Sequence, residues 1–240
     1  MKDKLTIIKV GGKIVEEPSS LQQLLTDFST IEGHTLLVHG GGRSATALAT
    51  RLGIESKMVN GRRVTDEAML EVVTMVYAGL VNKKIVAGLQ AMNINAMGLT
   101  GADLNYMVSE KRPVKDVDYG FVGDVKEVNA SILADLINLN VVPVLVPLTH
   151  DGKGNLLNTN ADTIAGEAAK SLAAFFEVTL VFCFEKKGVL LDEHNDDSVI
   201  EILTPASFEA YVEEGVIQGG MIPKLRSEEH TSELQSLSHL

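Results

Sequence analysis

The sequence predicts an α/β fold, a three-layer αβα sandwich in which helices cover both faces of a mainly parallel sheet. Short apolar runs alternate along the chain with segments of helical periodicity. Two of these runs, 141–146 and 178–184, are apolar without alternation, as is typical of strands buried on both faces of a parallel sheet. Glycine-rich turns follow the first two strands, where a sheet of this kind binds its ligands.

The N-terminal part of the chain opens as strand, helix, strand, helix. The clearest helical signal is Leu21, Leu24, Leu25 and Phe28, which recur at the spacing of one helix face. The predicted elements here are strand 5–10, a helix around 21–28, strand 35–38, helix 43–52, helix 67–91 and strand 95–99.

The rest of the chain continues the alternation. Pro113, Gly120 and Gly123 interrupt short β-prone pieces, which predicts hairpins between Met107 and Val128. Helix 131–140, strand 141–146, a turn at 151–154, a helix ending at 173 and strand 178–184 follow. Because no linker is evident, we place a domain boundary near Ala174.

Composition and charge exclude several classes of protein. The 240 residues include 21 basic and 32 acidic ones, a net charge of −11, so we expect no nucleic-acid partner. The apolar run 172–184 is too short to span a bilayer, so we expect no membrane association. Cys183 is the only cysteine, and no Cys/His cluster has the spacing of a zinc site. We therefore expect a cytoplasmic protein without a metal site.

Two glycine-rich turns are candidates for phosphate binding, Gly11 with Gly12 and the triplet Gly40 to Gly42. Consecutive N–H groups at a helix N-terminus can hold a phosphate, although tight turns explain the glycines about equally well. The triplet also fits a dinucleotide-binding fingerprint, but no acidic residue follows where a ribose contact requires one. The Walker sequence is absent, so any nucleotide is bound without a P-loop.

Among the polar residues, Lys9 is the most informative. It lies near the end of a buried strand, where an unpaired ammonium is costly, so we expect an anionic partner unless the side chain reaches the surface. Arg63 is suited to a bidentate pair with a carboxylate. Asn158 and Asp162 stand at a helix start, where capping explains them equally well. Lys224, taken alone, is a surface lysine.

Five motifs together resemble the amino-acid kinase family. In chain order they are Ile8-Lys9-Val10-Gly11-Gly12, Val38-His39-Gly40-Gly41-Gly42, Asn60-Gly61-Arg62-Arg63-Val64-Thr65, Asn158-Thr159-Asn160-Ala161-Asp162 and Gly219-Gly220-Met221-Ile222-Pro223-Lys224. Their order and spacing are similar to the family's across residues 5–225. The resemblance implies ATP-dependent phosphorylation of the side-chain carboxylate of N-acetylglutamate, a step of arginine biosynthesis, with Mg²⁺ arriving on the ATP.

The resemblance also implies roles for individual residues. The implied catalytic residues, two lysines that stabilise the transferring phosphoryl group and an aspartate that holds both ammonium groups, are Lys9, Lys224 and Asp162. Those implied to bind the acylamino acid are Gly41, Gly42, Arg63 and Asn158. Those implied to contact ATP are Gly11, Gly12, Glu185, Gly188, Val216, Ile217 and Gln218.

The chain departs from the family pattern near its two ends. Glu185 stands where an aspartate is usual, and residues 226–240 resemble a translated sequencing adapter. We therefore expect an acylglutamate-binding and dimerisation lobe at 1–174, an incomplete ATP-binding lobe at 175–225 and a non-native tail at 226–240. Only four residues precede the first strand, which favours a homodimer over the arginine-inhibited hexamers that carry an extra N-terminal helix.

Two other functions remain open from the sequence. A Rossmann-type oxidoreductase would bind its dinucleotide at the Gly40 turn, and a non-catalytic ligand sensor would keep the fold without turnover. The acyl group, acetyl or succinyl, also remains open, because the pocket walls include the hairpins between Met107 and Val128.

Overall fold

The computed structural model describes residues 2–59, 61–183, 189–192, 194–195, 197–200, 202–203, 205–217 and 234–235. The strands are β1 (Lys4–Val10), β2 (His34–His39), β3 (Met58–Val59), β4 (Arg62–Arg63), β5 (Ala96–Leu99), β6 (Met107–Lys111), β7 (Gly123–Val128), β8 (Val142–Leu145), β9 (Leu148–His150), β10 (Leu156–Asn158), β11 (Glu177–Cys183), β12 (Ile202–Leu203) and β13 (Leu234–Gln235). The helices are α1 (Gly12–Glu16), α2 (Pro18–Phe28), α3 (Gly42–Arg51), α4 (Glu67–Val73), α5 (Asn82–Ala91), α6 (Ala130–Asn138), α7 (Ala161–Leu172) and α8 (Pro205–Glu213).

A five-stranded sheet in the order β11-β1-β2-β8-β5 forms the centre of the fold, and all its pairings are parallel. Since alternate residues of a strand point to opposite faces, β1 supplies Ile8 and Val10 to one core and Leu5 and Ile7 to the other. Helices α1 to α5 cover the first core, and α6 and α7 cover the second. The predicted three-layer α/β sandwich is confirmed.

The last strand of this sheet differs from its prediction. We expected residues 178–184 to be buried on both faces, but Glu177 and Thr179 of β11 are exposed and the rest of the strand is half-buried. In the described part of the chain β11 is an edge strand that pairs with β1 alone, so less of it is covered. Phe184 lies outside the described residues.

A smaller sheet in the order β10-β9-β6-β7 is formed by strands that lie between β5 and β11 along the chain, on either side of β8. The predicted hairpin region contains the antiparallel pair of β6 and β7, with a register irregularity between Val108 and Ser109. Strands β9 and β10 escaped prediction because three residues are too few to show alternation. This sheet ends at Asn158, one of the candidate site residues. A separate short pair joins β12 to β13, which lies within the segment 226–240.

One long helical stretch, Glu67–Ala91, confirms the predicted helix. Its middle part, Thr74–Val81, is wound as a π-helix and joins α4 to α5. Asp66 begins the stretch by accepting a hydrogen bond from Met69 N–H at 2.8 Å. By length and composition alone the stretch could cross a bilayer, but its apolar side is packed in the first core, as in the core helix of a folded domain.

Thr65 is hydrogen-bonded to residues 119–121, a segment that precedes β7. Its N–H donates to Tyr119 O at 2.9 Å, and its carbonyl accepts from Phe121 N–H at 2.7 Å. Gly120 lies between these two residues with φ +72°, and a Cβ there would overlap the Thr65 carbonyl oxygen. Glycine is therefore required both by the backbone conformation and by the close approach.

Replacing Gly120 should test this close contact between Gly120 and Thr65. Gly120→Ala should lower the free energy of unfolding by more than about 3 kcal/mol, because the left-handed conformation and the clash both act. Gly53→Ala is the matched control, since Gly53 has the same φ of +72° with no atom within 4 Å of the added Cβ; it should cost only about 1 kcal/mol. If urea unfolding shows that both variants lose the same free energy of unfolding, the backbone at Gly120 is not tightly packed against Thr65.

Candidate active site

The two glycine-rich turns meet at the C-terminal end of the central sheet. Each extends the sheet's hydrogen bonding by one residue: Gly11 N–H donates to Cys183 O at 3.0 Å, and Gly40 N–H donates to Val10 O at 3.2 Å. The Gly11 amide is therefore engaged within the sheet. Of the two glycines predicted to contact ATP at the first turn, Gly12 alone keeps its amide available.

The gap between the turns is narrow and carries amides without acceptors. A Cβ on Gly12 would lie 3.7 Å from the nitrogens of both Gly41 and Gly42, so a side chain there would fill the gap. None of these three amides has an acceptor among the described residues. The amide of Ser44, in the first turn of α3, donates to Glu16 Oε1 at 2.7 Å. Unpaired amides at a helix start attract anionic oxygens.

Lys9 has the anionic partner that its burial demands. Its Nζ lies 2.6 Å from Asp162 Oδ1, and both residues are 8% exposed. Asp162 is not the helix cap: Asn160 caps α7 by accepting from the N–H groups of Asp162 and Thr163. The Asp162 carboxylate is thus left for the ammonium. Lys224, predicted to share it, lies outside the described residues.

Arg63 is a buried cation that contacts neutral acceptors. It is 9% exposed, and its guanidinium donates to Gly42 O at 2.9 Å, to Thr46 Oγ1 at 3.0 Å and to Ser56 Oγ. It has no carboxylate partner among the described residues. A guanidinium taken out of water without a counter-charge favours the binding of an anion beside it.

A cavity of about 210 Å³ opens beside Arg63, between the second glycine turn and the start of α7. Its lining residues are Gly40, Gly41, Gly42, Met58, Gly61, Arg62, Arg63, Tyr77, Val122, Pro147, Asn158, Thr159, Asn160 and Ala161. Asn158 is fixed in this wall because its Nδ2 donates to Thr65 Oγ1 at 2.9 Å. The cavity therefore joins the predicted acylamino-acid residues to the turn with free amides.

The residues predicted to bind the nucleotide are less completely placed. Val216 and Ile217 follow α8, where both N–H groups donate to Tyr211 O and the Ile217 side chain is buried in a small core with Ile200 and Phe208. Neither residue lines the cavity described above. The other predicted contacts after Gly12, namely Glu185, Gly188 and Gln218, lie outside the described residues. No group of three or more metal-ligating side chains occurs in the described ranges.

A buried polar network lies directly behind the second glycine turn. His39 is fully buried; its Nδ1 is 2.7 Å from Gly40 O, and its Nε2 is 3.2 Å from Asn82 Nδ2. Asn82, also fully buried, donates to Val144 O at 3.0 Å. Burial lowers the pKa of His39 to about 4, outweighing the hydrogen bond to Gly40, and Lys83 adds to the lowering. The imidazole is therefore neutral near pH 7.

Three groups of side chains at this site were not predicted from the sequence. Glu16 has no motif of its own, and Tyr77, whose ring would lie 2.9 Å from a Cβ on Gly41, merges with the apolar pattern of its helix. The pair of His39 and Asn82 is 43 residues apart in sequence. The one available signal was Asn82 itself, a polar residue on the buried side of an apolar helix.

Comparison with known proteins gives consistent matches. The model of the amino acid kinase family matches residues 4–227. The acetylglutamate kinase of Phocaeicola vulgatus is 73% identical over 227 residues, which cover 95% of this chain and 88% of the relative. The acetylglutamate kinase of Bacteroides thetaiotaomicron is 72% identical, with the same shares covered.

Solved structures show the same fold. The structure of smu.665 from Streptococcus mutans UA159 has a TM-score of 0.80 at 27% identity and covers 95% of this chain and 89% of that one. An N-acetylglutamate synthase from Neisseria gonorrhoeae, solved with coenzyme A and N-acetyl-glutamate, has a TM-score of 0.79 at 20% identity and covers 94% of this chain and 50% of that one.

The buried imidazole should make stability depend on pH. The pKa of His39 falls from 6.5 to about 4 on folding, so the unfolded chain binds more protons between these values. The neutral form of His39 stabilises the fold fully above pH 6.5, and this stabilisation is lost as the pH falls. The free energy of unfolding should decrease by about 2 kcal/mol between pH 7 and pH 5. His39→Asn should lack this part of the loss in urea unfolding at the two pH values; equal losses would show that His39 is accessible to protons.

Proposed function

Because the chain belongs to the amino acid kinase family, we propose that it transfers the γ-phosphoryl group of ATP to the side-chain carboxylate of N-acetylglutamate, a step of arginine biosynthesis. The identity of more than 70% to two acetylglutamate kinases supports the choice of substrate. The structural observation that carries the proposal is the buried ammonium of Lys9, 2.6 Å from Asp162, at the end of the sheet where the two glycine turns meet.

The acylamino acid occupies the cavity beside Arg63. Its α-carboxylate pairs with the guanidinium, which has neutral partners among the described residues. Asn158, held by Thr65, binds the same substrate. The side-chain carboxylate then extends to the amides of Gly41 and Gly42.

The reaction needs placed positive charge more than covalent help. An oxygen of the substrate carboxylate forms a bond to the γ-phosphorus, the bond to the β–γ bridging oxygen breaks, and ADP leaves with its electron pair. Lys9 and the Gly12 amide stabilise the equatorial oxygens, the Gly41 and Gly42 amides hold the reacting carboxylate, and Asp162 holds the Lys9 ammonium in place. Lys224 is proposed as the second cation. Mg²⁺ bound to ATP would neutralise phosphate charge. The remaining proposed neighbours of the nucleotide are Gly11, Glu185, Gly188, Val216, Ile217 and Gln218.

We also propose a cytoplasmic homodimer in which 1–174 binds acylglutamate and dimerises and 175–225 binds ATP. Met75 and Leu80 on the long helix are each 51% exposed, and Met97 on β5 is 43% exposed. Strand β5 is an edge of the central sheet in the described chain. A second copy packed along the long helix and over the sheet edge at β5 would remove these side chains from water.

Turnover with Lys9 variants tests the activity. We expect ADP release that depends on an acylglutamate, with acetyl and succinyl forms compared, and no tight binding of NAD. Lys9→Ala should lower kcat at least about 100-fold, with a much smaller change in KM for ATP, because the ammonium acts on the transferring group.

The double variant Lys9→Met with Asp162→Leu separates chemistry from folding. Lys9→Ala alone leaves the Asp162 carboxylate buried and unpaired, whereas the double variant removes both charges. It should therefore be more stable than Lys9→Ala and equally poor in turnover. Tight NAD binding would support the oxidoreductase, and acylglutamate binding without turnover would support the ligand sensor. Either result would reject the kinase.

Arg63→Lys should raise KM for the acylglutamate by about 10- to 100-fold and leave KM for ATP nearly unchanged, because an ammonium cannot form the bidentate pair. Arg51→Lys, on the exposed last turn of α3, is the matched control and should change neither constant. A larger effect on ATP than on acylglutamate would move Arg63 to the nucleotide site.

Leu80→Glu should convert the dimer to a monomer in sedimentation equilibrium, because a buried unpaired carboxylate opposes association. Leu139→Glu is the control, since Leu139 is 72% exposed at the end of α6, away from the proposed interface. Dissociation by the Leu139 variant alone would place the interface elsewhere, and a wild-type monomer would reject the dimer.

A further inference from the structure

We propose that His39 is a positioning residue for the reaction: its neutral imidazole fixes the Gly40 peptide and so directs the Gly41 amide into the gap between the glycine turns. This inference rests on the proposed function. The side chain does not line the cavity, and it acts through the backbone.

The hydrogen-bond partners determine which nitrogen carries the proton. Val144 O, a backbone acceptor, lies 3.0 Å from Asn82 Nδ2, and Lys83 Nζ donates to Asn82 Oδ1 at 3.1 Å. The opposite orientation of the amide would place two acceptors together at Val144 and two donors together at Lys83. Asn82 Nδ2 is therefore the donor that faces His39 Nε2, so that nitrogen must be unprotonated. The proton is on Nδ1, from which it is donated to Gly40 O at 2.7 Å.

The orientation of one peptide plane follows from this bond. No cis peptide bond occurs among the residues that the structure describes, and in a trans peptide the C=O and the following N–H point in opposite directions. Because the Gly40 carbonyl points to the buried imidazole, the Gly41 N–H points away from it. Its nitrogen lies 3.7 Å from a Cβ position on Gly12, across the gap, and has no acceptor among the described residues. The imidazole thus holds a donor in place before substrate arrives.

The space for Asn82 is a second sign that the network is built into the fold. A Cβ on Gly98 would overlap the Asn82 side-chain oxygen, so the neighbouring strand β5 leaves room for the amide by having glycine there. Rotation of the Gly40 peptide would break the bond from Nδ1 and leave a buried donor unpaired, which opposes the rotation.

Kinetics of two variants test the role. In His39→Leu the space is filled but the donor is lost, and kcat should fall by about 10- to 100-fold with KM for ATP within about twofold, since a small misplacement of a reacting group has effects of this size. In His39→Asn the side-chain amide nitrogen replaces Nδ1, and most of kcat should return. Equal kcat values for the two variants would overturn the proposal.

Two NMR measurements test it without turnover, so failure of the kinase proposal remains distinguishable. Nitrogen-15 shifts of the His39 ring in the wild-type chain should show the Nδ1–H form unchanged from pH 6 to 8; an Nε2–H form, or titration in this range, would overturn the proposal. The Gly41 amide signal should move in His39→Leu and return towards its wild-type position in His39→Asn. An unmoved Gly41 signal in the Leu variant would also overturn it.

Discussion

The burial of one ammonium group determines how the site is built. Lys9 lies near the C-terminal end of β1, between two other strands of the central sheet, and its charge is compensated by Asp162 from the first turn of α7. Neither charge is tolerable there alone, so the ion pair joins the sheet to the helix at one point. It also keeps cation and carboxylate beside the glycine turns. A pair of this kind adds little net stability, and its value lies in where it places the ammonium.

The glycine turns are governed by a second constraint, the lack of side chains between them. Amides face a gap into which even a methyl group on Gly12 would intrude, so anionic oxygens can approach the backbone closely. Around this gap the chain places fixed groups: Glu16 on the Ser44 amide, the Tyr77 ring against Gly41 and the imidazole behind Gly40. The backbone donors of the turns are thus surrounded by packed or hydrogen-bonded side chains.

Much of the fold and part of the site could be predicted from the sequence, for identifiable reasons. Apolar runs determine strands and helices locally, and a charged residue such as Lys9 within one implies a partner. Strands β9 and β10 were too short to show a period, and the half-burial of β11 depends on its neighbours. The cap at Asn160 could not be separated from Asp162 by local sequence. Contacts such as Thr65 with Asn158, 93 residues apart, depend on the fold as a whole.

The π-helical segment has a consequence for how one helix reaches the second glycine turn. In an α-helix, residues five apart differ by about 140° around the axis, whereas in a π-helix they nearly align. Here Asn82 N–H donates to Tyr77 O, so these two residues lie one above the other. Tyr77 packs on Gly41, and Asn82 binds His39 behind Gly40. Loss of one residue from Thr74–Val81 would restore a regular helix and preserve its apolar character, yet it would turn one of these side chains away. The wider turn of the π-helical segment therefore allows a single helix to contact the second glycine turn through both Tyr77 and Asn82.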